Sequence, residues 1–132
     1  MRWRYYLAIG AYCAFIFWMS SQSRPPGSQI DFEGADKLAH FLVYGIMAAL
    51  VSAGLHDIPG RHPAWLRILG PVLFAMAYGV SDEIHQLFTP GRSYSYFDML
   101  ADGLGATAGQ AFCLYRFRKR PPLREVPEQG TS

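Results

Sequence analysis

Apolar and polar positions alternate along this chain in long blocks rather than single residues. Four apolar runs, each long enough to cross a bilayer, are separated by the polar stretches 20–37, 56–64 and 81–98. The runs predict helices over about 3–19, 36–55, 65–88 and 96–117. Trp3–Met19 and Leu38–Leu55 carry no polar face, so a water-soluble bundle would have to hide them on every side. The expected fold class is therefore all-α, a membrane-spanning four-helix bundle. Arg2, Arg4, Trp3, Tyr5, Tyr6 and Trp18 flank the first run as basic and aromatic anchors. That run lacks an A-x-A-like exit and is rich in aromatics, which favours a retained helix over a cleaved signal peptide.

Punctuation between the runs fits this division. Residues Ser20–Ala35 hold Pro25, Pro26, Gly27 and Gly34, and the short turn after the second run holds Pro59, Gly60 and Pro63. Pro71 is expected to bend the first half of the third helix. Thr89-Pro90-Gly91-Arg92 has Pro then Gly at the central positions of a type II turn. Small residues recur every four positions at Gly45, Ala49 and Ala53, and again at Ala101, Gly105 and Gly109. Such stripes let two helix backbones approach closely.

The chain has 132 residues, enough for one domain, assigned to 1–117 with a basic, Pro-rich, disordered tail over 118–132. Charged residues make up 17%, below the roughly 25% usual in soluble domains. Mean hydropathy is only +0.06, because polar connections dilute the apolar runs. Cys13 and Cys113 fall far apart along their helices, so no disulfide is expected and packing is their simplest role. Four spans put both termini on one side, with Arg2, Arg4, Arg61, Arg67, Arg116, Arg118, Lys119, Arg120 and Arg124, against Arg24, Lys37 and Arg92 on the other. That bias predicts cytoplasmic termini and an outward-facing 81–98 segment. The tail arginines read as a topology signal and a contact for anionic lipid, not as a nucleic-acid site.

Ionisable groups near a spanning helix are costly and mark functional candidates. Asp36, Lys37, His40 and Tyr44 open the second helix, Asp82, Glu83, His85 and Gln86 close the third, Arg92 sits on the turn, and Asp98 and Asp102 open the fourth. Asp36, His40 and Tyr44 share one helix face at i, i+4 and i+8, so Asp36 is expected to orient His40 as a general base. Arg92 suits bidentate capture of a phosphate or carboxylate. Catalytic candidates are His40, Glu83, Asp82 and Asp98; binding candidates are Asp36, Lys37, Tyr44, Gln86, Arg92 and Asp102. Plainer roles compete: Asp36 and Asp98 as helix caps, Asp82 or Glu83 as ion-pair partner of Arg92, Lys37 as an interfacial anchor, His85 as an exposed loop residue. Five carboxylates face two cations, an excess that calls for protonation or a bound cation. No tight metal motif is present, so no cofactor is expected, with a divalent metal as the alternative. No G-x-S-x-G elbow is present either.

These residues resemble the VanZ-like family of small bacterial membrane proteins. The resemblance rests on Asp36-Lys37-Leu-Ala-His40-Phe-Leu-Val-Tyr44, on Ser81-Asp82-Glu83-Ile-His85-Gln86-Leu-Phe-Thr-Pro90-Gly91-Arg92, and on Asp98-Met-Leu-Ala-Asp102-Gly-Leu-Gly105-Ala-Thr-Ala-Gly109. Asp102 departs from it, since that position is often Asn. The resemblance implies a four-helix fold in the bacterial cytoplasmic (inner) membrane and a link to teicoplanin susceptibility, hence to the cell envelope. It supplies no settled reaction. The expected partners are the lipid bilayer and an amphiphilic or lipid-linked envelope molecule bound at the outer face, with its processing there left open. Rival expectations are a non-enzymatic envelope protein whose polar cluster locks helices together, and a small lipid carrier acting as an oligomer.

Overall fold

The computed structural model describes residues 3–24, 32, 34–58 and 62–118. They form four α-helices and, among the described residues, no strand: α1 Trp3–Ser20, α2 Ala35–Asp57, α3 Ala64–Gln86 and α4 Tyr96–Arg118. The helix ends match the hydropathy boundaries to within two residues. The expected tail over 118–132 lies outside the described residues beyond Arg118, as do Arg2, Arg61 and the prolines Pro25, Pro26 and Pro59.

α3 stops at Gln86 rather than Phe88 because the reversal has already begun. Arg92 N–H donates to Thr89 O at 3.1 Å, and Gly91 between them has φ 80°. A positive φ at that position is what a type II turn demands of glycine.

α2 and α4 form the most extensive helix pair, and their small-residue stripes explain why. A Cβ built at Gly105 would collide with the Phe41 carbonyl, and one at Gly109 with the Gly45 carbonyl. Backbone therefore meets backbone along this seam. Cys113 Sγ reaches Ala49 O at 3.8 Å further down the same interface, and both cysteines are free thiols. α1 is tied on by two hydroxyls: Tyr12 donates to Val43 O at 2.9 Å and Tyr78 donates to Cys13 O.

α3 continues through Pro71, which is buried. Proline has no N–H to offer the carbonyl four residues earlier, that of Arg67. Gln110 supplies the missing donor from α4, its Nε2 lying 2.7 Å from Arg67 O. A defect in one helix is thus satisfied by a side chain of another, as an apolar surround requires.

Inside and outside are inverted relative to a water-soluble protein. Among the described residues, nine buried polar or charged side chains accompany eight buried hydrophobic ones, while Leu42, Ile46, Leu73, Phe74, Leu104 and Phe112 face outward. α2 and α3 are long and apolar enough to cross a membrane, with mean hydropathies of 1.9 and 1.4. Only 28% and 17% of those windows are buried. A core helix of a soluble domain would be mostly covered, so these two present their apolar surface to the surroundings.

Candidate functional site

The start of α2, the end of α3 and the start of α4 lie at one end of the bundle, and their polar side chains meet there. His40 Nδ1 donates to Asp102 Oδ1 at 2.8 Å, and His40 Nε2 lies 3.8 Å from Asp98 Oδ2. Lys37 Nζ bridges Asp36 Oδ2 at 2.7 Å and Asp98 Oδ1 at 3.3 Å. The Tyr44 ring lies nearly parallel to the His40 imidazole, with centroids 6.1 Å apart. Glu83, fully buried, accepts the Ser95 backbone N–H on Oε2 at 2.9 Å.

A second branch runs from this cluster toward the turn. Gln86 Nε2 donates to Asp82 Oδ2 at 3.1 Å, and Arg92 Nε donates to Gln86 Oε1 at 3.3 Å. Gln86 and Thr89 also reach Ser20 at the end of α1, the latter by a bond from its hydroxyl to Ser20 O at 3.2 Å. One arginine, one amide and one carboxylate are thereby held in series.

Several sequence expectations need correction. Asp36 does not orient His40; it is exposed and paired with Lys37, while Asp102 on α4 takes the imidazole. Spacing along one helix pointed to Asp36, but close α2–α4 packing brings a nearer carboxylate. Asp36 is not at the N-cap position, which Gly34 occupies, but its carboxylate sits in the first turn of α2 and accepts from backbone N–H groups there, as a capping role requires. Asp98 does not cap α4: Ser95 Oγ accepts the Asp98 N–H at 3.2 Å. Arg92 forms no ion pair with Asp82 or Glu83 among the described residues; Gln86 stands between it and Asp82. Lys37 is not merely an interfacial anchor, since it joins α2 to α4 through Asp98. His85 leaves the cluster altogether, stacking on Phe17 and lying 2.9 Å from Ser21 Oγ.

Four residues gain importance beyond the candidates read from sequence. Ser95 caps α4 and fixes Glu83, and its Ser95-x-x-Asp98 spacing is a legible capping signal. Ser20 and Thr89 anchor α1 to the turn. Gly79 makes room for the dyad, because a Cβ there would sit 2.7 Å from Asp102 Oδ2. Nothing in the local sequence announces that last role.

Polar satisfaction is incomplete here. Glu83 Oε1, Asp102 Oδ2 and the Tyr44 hydroxyl are buried without a hydrogen-bond partner. Such groups are costly in a dry interior, at about 1–3 kcal/mol each and more for a charge. Chemically, the cluster combines an imidazole oriented by Asp102, the Glu83 and Asp98 carboxylates, the Lys37 ammonium and, on the Asp82–Gln86 branch, the Arg92 guanidinium.

A family model described as VanZ/LLP1 matches residues 5–118. The chain belongs to the VanZ/LLP1 family. The match takes in nearly all of α1 and the whole of the other three helices, so every member of the polar cluster lies within it. Searches of curated proteins and of solved structures give no match for this VanZ/LLP1 chain. A separate cavity of about 410 Å³, lined by Arg4, Tyr5, Ala8, Leu50 and Asp57, opens at the opposite end of the bundle. It contains no acid–base dyad, and the polar cluster is the better candidate.

Proposed function

We propose that this VanZ/LLP1 protein spans the bacterial cytoplasmic membrane four times, with both termini inside. Its polar cluster then faces outward and binds the head group of an amphiphilic or lipid-linked envelope molecule. The inverted interior supports four spans. α1 and α4 lose mean hydropathy to Tyr, Trp and the buried Asp98, Asp102 and Gln110, yet Phe15, Phe17, Leu100, Leu104 and Phe112 line their outer faces. Arg92 holds a phosphate or carboxylate, with Gln86 setting its direction, and His40 backed by Asp102 exchanges protons with the bound head group. Where chemistry follows binding, hydrolysis or transfer on a lipid-linked intermediate is the class these groups serve. An effect on teicoplanin susceptibility follows from altering that envelope molecule.

The observation that carries the reading is the pair of buried, unpartnered carboxylate oxygens on Glu83 and Asp102. A purely structural network would be expected to satisfy its own members. Lipid mass spectrometry of protein extracted in polymer discs, native against His40→Ala, tests it. Native protein should carry an anionic envelope lipid enriched well above bulk, and the variant should lose it or accumulate an unprocessed form. Identical bulk-phospholipid profiles would end the reading.

The structural lock has its own support, since Lys37–Asp98, His40–Asp102 and Glu83–Ser95 each join two helices. Arg92 separates the two readings. Its one described side-chain hydrogen bond is a 3.3 Å contact within the α3–turn segment, so the side chain contributes little to holding helices together. Losing function with Arg92→Ala while abundance stays native favours the binding site.

A further inference from the structure

The hydrogen bonds at this cluster use one donor or acceptor atom of each key side chain and leave the other free. His40 Nδ1 is committed to Asp102, Asp98 Oδ1 to Lys37, and Glu83 Oε2 to the Ser95 N–H. The atoms left without a hydrogen bond are His40 Nε2 and Asp98 Oδ2, which lie 3.8 Å apart, and Glu83 Oε1. Glu83 is wholly buried and its Oε1 has no partner. Ligand-capable atoms of His40, Glu83 and Asp98 lie within 4.8 Å of one another.

We infer that His40, Glu83 and Asp98 form a binding site for a divalent metal ion, with Asp102 orienting His40 behind it. The pinned atoms are what a metal site needs. A ligating histidine ordinarily donates its other N–H to a carboxylate, which fixes ring and tautomer, and ligating carboxylates are themselves hydrogen-bonded. Charge points the same way. Lys37 is shared between Asp36 and Asp98, and His40 offsets Asp98 and Asp102 only when protonated; with His40 neutral, as a ligand must be, a divalent ion would offset the remaining negative charge.

One imidazole with two carboxylates suits Zn²⁺ or Mn²⁺ better than Mg²⁺ or Ca²⁺, which prefer all-oxygen shells. Bonds of about 2.0–2.2 Å place donors closer together than 4.8 Å, so the three side chains draw inward on binding. Three protein ligands leave at least one position for water or a head-group oxygen. Lys37 stays at the half-exposed rim, on the other oxygen of Asp98.

The inference concerns the same cluster but does not depend on the head-group reading, because the metal alone is the probe. Detergent-purified full chain carrying a non-histidine tag is stripped with chelator and dialysed against Zn²⁺ or Mn²⁺, and its metal content and melting temperature are measured. The expected result is about one ion per chain, with a rise in melting temperature that EDTA reverses. The Asp102→Asn variant should bind about 10–100-fold more weakly, and Glu83→Gln with Asp98→Asn should bind none. Asp57→Asn, which alters an exposed carboxylate at the opposite end of the bundle, should bind as the native chain does. Should the double variant fail to fold, electron paramagnetic resonance of Mn²⁺ on the native chain decides: an immobilised signal displaced one-for-one by Zn²⁺ supports the site. Far less than one ion per chain, or equal loss of binding in Asp57→Asn, would overturn it.

Discussion

At the residue scale, His40 shows how tertiary packing overrides spacing along a helix. The i, i+4 relation placed Asp36 beside it, and that relation is real on an isolated helix. Folding instead presents Asp102 from α4 at 2.8 Å, while Asp36 turns to Lys37. The polar character of the site was legible from the sequence; the pairing was not, because it depends on how closely α2 and α4 approach. Tyr44 offers a sharp test of the unpartnered groups. Its buried hydroxyl makes no close hydrogen bond and faces the Asp82 carboxyl, so Tyr44→Phe should change stability by no more than about 1–2 kcal/mol. Bound envelope lipid should fall in the same variant if that hydroxyl meets the head group. Gly79→Ala should do the reverse, forcing a methyl group against Asp102 Oδ2 and costing about 1–3 kcal/mol in thermal unfolding.

At the scale of elements, the small-residue stripes were readable because close packing needs Gly and Ala at every fourth position. The seam they form tolerates no added atom at Gly105 or Gly109, whereas Gly103 has ordinary clearance from Met76. Melting temperatures should therefore drop sharply for Gly105→Ala and Gly109→Ala but stay near native for Gly103→Ala. Pro71 was also visible, yet its partner was not, since a glutamine 39 positions later gives no local hint. Gln110→Leu should cost about 1–3 kcal/mol by removing the side-chain donor to Arg67 O. Pro71→Ala restores a backbone donor to that carbonyl, so in the double variant the loss should shrink. Additive losses in that cycle would mean that Gln110 does not compensate the proline.

For the whole molecule, run length and hydropathy placed the four helices to within two residues, because a long apolar run without strand-like alternation leaves few alternatives to a helix. The end of α3 shifted only where turn chemistry outweighed hydropathy. Orientation rests on the basic bias alone, and fusions check it directly. A cytoplasm-dependent fluorescent reporter should be active at the C-terminus, and a periplasm-dependent phosphatase inactive there. The account's central claim is that the inverted interior at one end of the bundle receives a ligand rather than only joining helices. The most direct test measures bound envelope lipid per folded chain in native and Arg92→Ala protein extracted side by side. The account predicts that the variant keeps its membrane abundance and melting temperature while losing most of the enriched anionic lipid. Unchanged lipid in a folded variant, or lipid lost only in step with the fold, would contradict it.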